Sequence, residues 1–126
     1  MVVGLAIELV RLDDIRRDLA ERGVAWRDAV FTDGERQAVL DRVDATPGLA
    51  ARLAAKTAAL TALGKPDGAR LSEVEVVRQS SGAPTLTLHG LALAAAERLG
   101  ARTTHVTLTH SHAHAMAVVL LESEPT

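Results

Sequence analysis

Lysine, histidine and glutamate carry the chemistry open to this 126-residue chain, because with no cysteine it has no disulfide, thiolate metal site or thiol nucleophile. The clearest anomaly is Lys56, in "LAARLAAKTAALTALG" (49–64). Leu49, Leu53, Leu60 and Leu63 recur at the spacing that lines one helical face, and Lys56 stands where that stripe calls for another leucine. One reading lays its methylene stem along the face and lifts its ammonium into water. The other brings an anion to it. Arg52 lies one turn earlier, near the same face, and the many alanines would let a ligand or a backbone come close. Those features suit a phosphate site.

A second cluster is "HVTLTHSHAHA" (105–115). If this stretch stays extended, His110, His112 and His114 share a face, a geometry open to zinc or copper. A turn at Ser111–His114 would instead point the rings apart and leave a polar loop with one functional histidine. Glu8 sits inside the apolar run "VVGLAIELV", where a carboxylate needs a partner, a metal or a solvated edge. Glu35 follows Thr32 at capping-box spacing, which gives it a structural task at a helix start.

These residues must be positioned by elements that the pattern supplies in turn. "VVGLAIELV" (2–10) predicts a buried strand, and "DDIRRDLAERG" a polar helix ending at Gly23. "FTDGERQAVLDRV" (31–43) starts a second helix, and Pro47 and Gly48 separate it from the alanine-rich one. "KPDGA" (65–69) is a loop. "LSEVEVVRQ" and "TLTLH" form a hairpin around "SSGAP", and "GLALAAAERLGA" is a helix ended by Gly100. "THVTLTH" and "AMAVVLLE" are strands around a polar connection. The order predicts an α+β fold with mainly antiparallel pairing, in one domain spanning 1–126.

With 14 basic and 16 acidic residues, 48% hydrophobic and 24% charged, the chain has an ordinary globular composition. Its net charge of −2 makes no broad case for nucleic acid or an anionic membrane, though a local basic pocket remains open. Glu8 so near the start, without a basic leader, argues against a signal peptide or membrane span and makes the cytoplasm the expected location.

Together these stretches resemble the small holo-acyl-carrier-protein synthase type of 4′-phosphopantetheinyl transferase. "GLAIELV" is similar to the family's Gly-x-Gly-x-Asp-(Leu/Ile)-Val start, "FTDGE" to its Phe-Thr-x-x-Glu motif, and "RLAAKTAALTALG" to its Arg-Phe-Ala-Ala-Lys-Glu-Ala signature. "SGAPTLTLHG" and "TLTH" match its hairpin and its last histidine block, in family order over nearly the full chain. The resemblance implies transfer of phosphopantetheine from coenzyme A (CoA) to a serine of an acyl carrier protein. It also implies magnesium and a homotrimer with clefts between protomers. It places Lys56 at the CoA phosphates, Glu8 at the metal, Glu35 beside a metal-bound water or the attacking serine, and Arg52 and His110 near the cofactor.

The departures fall on charge. The family's strand aspartate is Glu8, its second metal-ligand glutamate is Thr57, its leaving-group lysine is Thr61, and its carrier-gripping arginine is Asp14. The glycine-rich loop is shortened to "KPDGA", where Lys65 would restore a cation near CoA. A divergent magnesium-dependent transferase is the first expectation. A repurposed or inactive relative, binding a carrier protein or small molecule or running a metal-free reaction in a polyketide-type pathway, is the second. A histidine-based metal-binding module is the third.

Overall fold

The computed structural model describes residues 1–124. Strand β1 (Val2–Arg11) leads into helix α1 (Leu12–Val30), the short α2 (Asp33–Ala38) and α3 (Thr46–Ala62). A hairpin of β2 (Val74–Arg78) and β3 (Pro84–Leu88) is followed by α4 (Gly90–Leu99), β4 (Ala101–His110) and β5 (His114–Ser123). β1, β5 and β4 form an antiparallel sheet in that order, and β2–β3 form a second, separate one. The α+β, antiparallel expectation is met.

α3 is the axis on which both sheets pack. Its buried side is not the leucine stripe alone: Ala50, Ala51, Ala54, Ala55, Ala58, Ala59 and Ala62 are all buried, whereas Leu53 and Leu60 are only partly covered. A helix wrapped on most sides favours the smallest side chains where backbones approach most closely. At Gly4 that approach is extreme, since a Cβ there would stand 2.4 Å from the Ala62 carbonyl oxygen. The alanines therefore admit the sheet's own backbone.

Three boundaries differ from the sequence reading. Gly23, with φ of +68° and ψ of −155°, ends the first helical segment as expected, but a second segment that the sequence reading left out follows it directly and runs to Val30. That second segment carries Trp26 and Val30 into the cluster around Phe31, Val39 and Leu49, whose burial outweighs the break. α2 is a single short stretch, not a helix to residue 43. Thr46, Pro47 and Gly48 open α3, with Asp44 Oδ1 accepting the Thr46 N–H at 3.0 Å. Proline fits there because the first turn of a helix leaves its N–H groups unpaired in any case.

Alternation gives the three-stranded sheet two distinct faces. Ala6, Glu8 and Val10 share the face that meets α3, opposite Val119, Ala117 and Ala115. Leu5, Ile7 and Leu9 point the other way, each about 60% exposed, beside Leu120, Val118 and Met116. No helix among the described residues is long and apolar enough to cross a membrane.

Candidate active site

Lys56 is fully buried, with 0% exposure. Its ammonium donates to Glu35 Oε1 at 2.6 Å and to the Val74 carbonyl, and lies 5.9 Å from the centre of the Phe31 ring. Neither a snorkelling surface lysine nor a cation lying open to an anion describes it. Burial pushes its pKa down, and the charges of Glu35 and Glu75 pull it back up. An ammonium has three donors, and this one has two protein acceptors.

Glu35 is equally enclosed, at 0% exposure. Its capping box is formed, with Glu35 N–H donating to Thr32 Oγ1 at 3.2 Å and Thr32 N–H to Glu35 Oε1 at 2.9 Å. The same carboxylate also accepts from Lys56 and, through Oε2, from Val76 N–H at 2.9 Å. The structural and chemical readings of Glu35 therefore coincide in one side chain that ties α2 to α3 and β2. Arg52, one turn before Lys56, is 3% exposed and donates through Nη1 to the Gly48 carbonyl at 3.1 Å.

The remaining predicted residues lie apart from this pair. Glu8 is half-buried on the α3-facing side of β1 and has no hydrogen-bond or ion-pair partner among the described residues. Thr57, Thr61 and Lys65 line one cavity of about 230 Å³ with Leu60, Pro66, Ala69 and Leu71. Lys65 has φ of +52°, and its N–H closes a Schellman cap on the Leu60 carbonyl at 2.8 Å.

His110 and His114 line a different cavity, with Leu9 and Met116. Ser111 turns the chain, its Oγ accepting from the N–H groups of Ala113 and His114. Among the described residues no three His, Asp or Glu side chains converge on a metal-sized site. The face shared by His110, His112 and His114 in an extended strand is therefore not formed. Asp14 sits in the first turn of α1, where the helix dipole favours an acid, and lies 3.6 Å from Arg17.

Glu75, Arg78 and His89 join the site without having been singled out in the sequence. Glu75 accepts from Thr32 Oγ1 at 2.7 Å and lies 3.6 Å from His89 Nε2. Glu75 and Arg78 in "LSEVEVVRQ", and His89 at the end of "TLTLH", read as solvated strand positions. Only the tertiary docking of α2 and α3 on β2 gives them neighbours.

For magnesium, the test is whether Glu8 is free to bind. A half-buried carboxylate on an inner sheet face, without an internal partner, fits a cation that takes one or two protein oxygens and completes its shell from phosphate and water. Thr57 brings a neutral hydroxyl to the second ligand position implied by the resemblance.

A synthase from Anaeromyxobacter sp. (strain K), named holo-[acyl-carrier-protein] synthase, is 44% identical over 125 residues, covering 97% of each chain. The chain belongs to the holo-acyl-carrier-protein synthase family. A relative of the same name from Beutenbergia cavernae is 40% identical, covering 97% of this chain and 99% of its own. The acyl carrier protein synthase of Mycobacterium tuberculosis shares 37% identity over 98% of this chain and all of its own, with a TM-score of 0.70. No family model matches the chain. Against this synthase background, the buried Lys56–Glu35 pair lies inside the two blocks that carried the resemblance, "RLAAKTAALTALG" and "FTDGE".

Proposed function

We propose that this chain transfers 4′-phosphopantetheine from CoA to a serine of an acyl carrier protein, releasing 3′,5′-ADP. Membership of the synthase family supports the reaction. The observation that carries the site is a lysine driven wholly out of water in α3 with one donor not taken up among the described residues. A related synthase from Chronobacterium ammoniagenes, 26% identical over 97% of this chain with a TM-score of 0.84, was solved with CoA.

The serine oxygen forms a bond to the phosphorus carrying the pantetheine arm as its proton is released to water, and the P–O bond to 3′,5′-ADP breaks. Phosphoryl transfer of this kind depends on positioning and on neutralising charge. Lys56 offers its remaining donor to the pyrophosphate while Glu35 fixes its direction. Glu35 holds the serine hydroxyl for attack, and Arg52, Lys65 and His110, which line separate cavities of one protomer, bind the rest of CoA where protomers meet. Glu8 would hold magnesium, which supplies charge neutralisation at the pyrophosphate. Because Lys56 and Glu35 are enclosed, this reading requires the pair to be opened to substrate while its own hydrogen bond is kept.

The outer sheet face supports the homotrimer. Leu5, Ile7 and Leu9 beside Met116 form a continuous exposed apolar surface, larger than scattered surface leucines require. Covering it with neighbouring copies creates clefts at the protomer boundaries.

Intact-mass spectrometry of apo-carrier protein mixed with the chain, CoA and magnesium tests the function. The reading expects the carrier to gain one phosphopantetheine, and Lys56→Ala to abolish the gain. A panel of apo-carriers left unmodified by the folded wild-type chain would overturn it.

A further inference from the structure

Thr32 makes one bond more than a helix start requires. A capping box is complete once the threonine hydroxyl accepts from the Glu35 N–H and the Glu35 carboxylate accepts from the Thr32 N–H. The hydroxyl proton is then free to point to water. Here it goes to Glu75 Oε2 at 2.7 Å, a carboxylate 43 residues further along the chain. The next residue of β2 completes the grip, since Val76 N–H donates to Glu35 Oε2 at 2.9 Å. One strand thus holds both members of the box, Thr32 through a side chain and Glu35 through the backbone. Gly34 keeps the approach open, because a Cβ there would stand 2.8 Å from Glu75 Oε2.

The stability of α2 alone does not call for this arrangement. Two carboxylates, Glu35 and Glu75, converge on one threonine, and like charges held partly out of water oppose each other. Among the described residues no lysine or arginine pairs with Glu75. Arg52 and Arg78 line the same cavity of about 240 Å³ without reaching it, and His89 Nε2 stands 3.6 Å from its other oxygen, Oε1. What the added bond supplies is direction. Glu35 Oε1 accepts from both the Thr32 N–H and the Lys56 ammonium, so a rotation of the capping turn swings the anchor of that ammonium. A charge-assisted O–H···O⁻ bond resists such a rotation.

We propose that Glu75 is a positioning residue for the transfer reaction: through Thr32 it fixes the turn that aims Glu35, and Glu35 aims Lys56. This rests on the function proposed above, in which the Lys56–Glu35 pair opens to substrate with its own hydrogen bond kept. With the turn anchored on β2, the ammonium keeps its heading when the pyrophosphate arrives. Glu75 acts only through Thr32 in this role, so its loss is felt in turnover and not in the affinity for CoA.

Steady-state transfer to an apo-carrier, with urea unfolding alongside, tests this on two conservative variants. Glu75→Asp keeps the charge but falls a methylene short of Thr32, whereas Glu75→Gln keeps an acceptor oxygen in reach and loses the charge. Glu75→Asp should lower kcat on the order of ten- to a hundredfold, with KM for CoA within about twofold of the wild type. Glu75→Gln should recover most of that loss. A Gln variant as slow as the Asp one assigns the effect to charge and overturns the proposal, as do kcat and KM that move together with the unfolding midpoint. Adding Glu75→Asp to Thr32→Val should cost no further turnover, and losses that multiply would show two separate actions. A second readout needs no turnover. The chain has two lysines, Lys56 and Lys65, so the buried ammonium gives a nitrogen–proton NMR signal of its own. That signal should move in Glu75→Asp and return toward its wild-type position in Glu75→Gln; a signal that stays put overturns the proposal. A wild-type chain that transfers nothing sinks the transferase reading, and the ammonium signal still decides whether Glu75 aims Lys56.

Discussion

Where α3 lies against the three-stranded sheet, its contacts are small and apolar. Ala58, Ala59 and Ala62 pack with Ala6, Val119 and Leu121, and Gly4 lets the Ala62 carbonyl come closer than any side chain would permit. Where the same helix turns toward α2 and β2, it buries Lys56 and Arg52 instead, and meets them with Glu35, the Val74 carbonyl and an open cavity. The first wall leaves no room for a methyl group at Gly4. The second uses that precision to hold charges at hydrogen-bond distance, where a small displacement would cost far more than it does among alanines.

The largest effect should come from breaking the charged wall. Lys56→Ala leaves the Glu35 carboxylate buried without its cation and should lower stability by about 3–5 kcal/mol in urea unfolding. Pairing Lys56→Met with Glu35→Leu should recover much of that stability but none of the transfer. That outcome separates a structural ion pair from one kept for chemistry.

Gly4→Ala attacks the apolar wall. Its new methyl meets a backbone oxygen, which cannot rotate away, so a loss of about 1–3 kcal/mol is expected in the same assay. Because the helix must shift, CoA affinity should fall with stability; unchanged stability would show that the sheet and helix already stand further apart.

Thr57→Glu adds a carboxylate on the partly exposed flank between the walls. It should leave unfolding nearly unchanged and strengthen magnesium-dependent CoA binding, more so when combined with Thr61→Lys. Calorimetry showing no gain would remove Thr57 from the metal position.

Glu73 offers the mildest contrast, a carboxylate held chiefly by backbone amides, with the exposed Arg70 guanidinium 3.7 Å away as a lesser partner. The Arg70 N–H, and then those of Leu91 and Ala92, hold its pKa below the usual carboxylate range. Its folded value lies below its unfolded one, so its contribution is complete above about pH 4.5 and is lost as pH falls through the folded value. Glu73→Gln should flatten the acid limb of the stability profile over that window.

Much of this was legible in the chain. The hairpin around "SSGAP", the Thr32–Glu35 capping box, the Gly100 stop and the β4–β5 turn all follow from short-range rules and stand where those rules put them. The exceptions depend on contacts distant in sequence. Gly23 is legible as a stop, but nothing local announces that a second helical segment follows it and packs Val30, with Trp26 partly covered, onto the Phe31 cluster. The leucine stripe marks a core-facing helix, yet it cannot say that the alanine side is buried more completely. Lys56 is visible as an anomaly, but its partner Glu35 lies in another block and already has a local explanation. Arg78 reads as an ordinary outward strand residue until Arg52 is brought behind it.

A crystal structure with CoA and magnesium tests the central claim most directly. The account predicts the Lys56 ammonium within hydrogen-bond distance of a pyrophosphate oxygen while Glu35 still directs it. Phosphates bound elsewhere, with Lys56 sealed against Glu35 and Val74 as it is here, would contradict it.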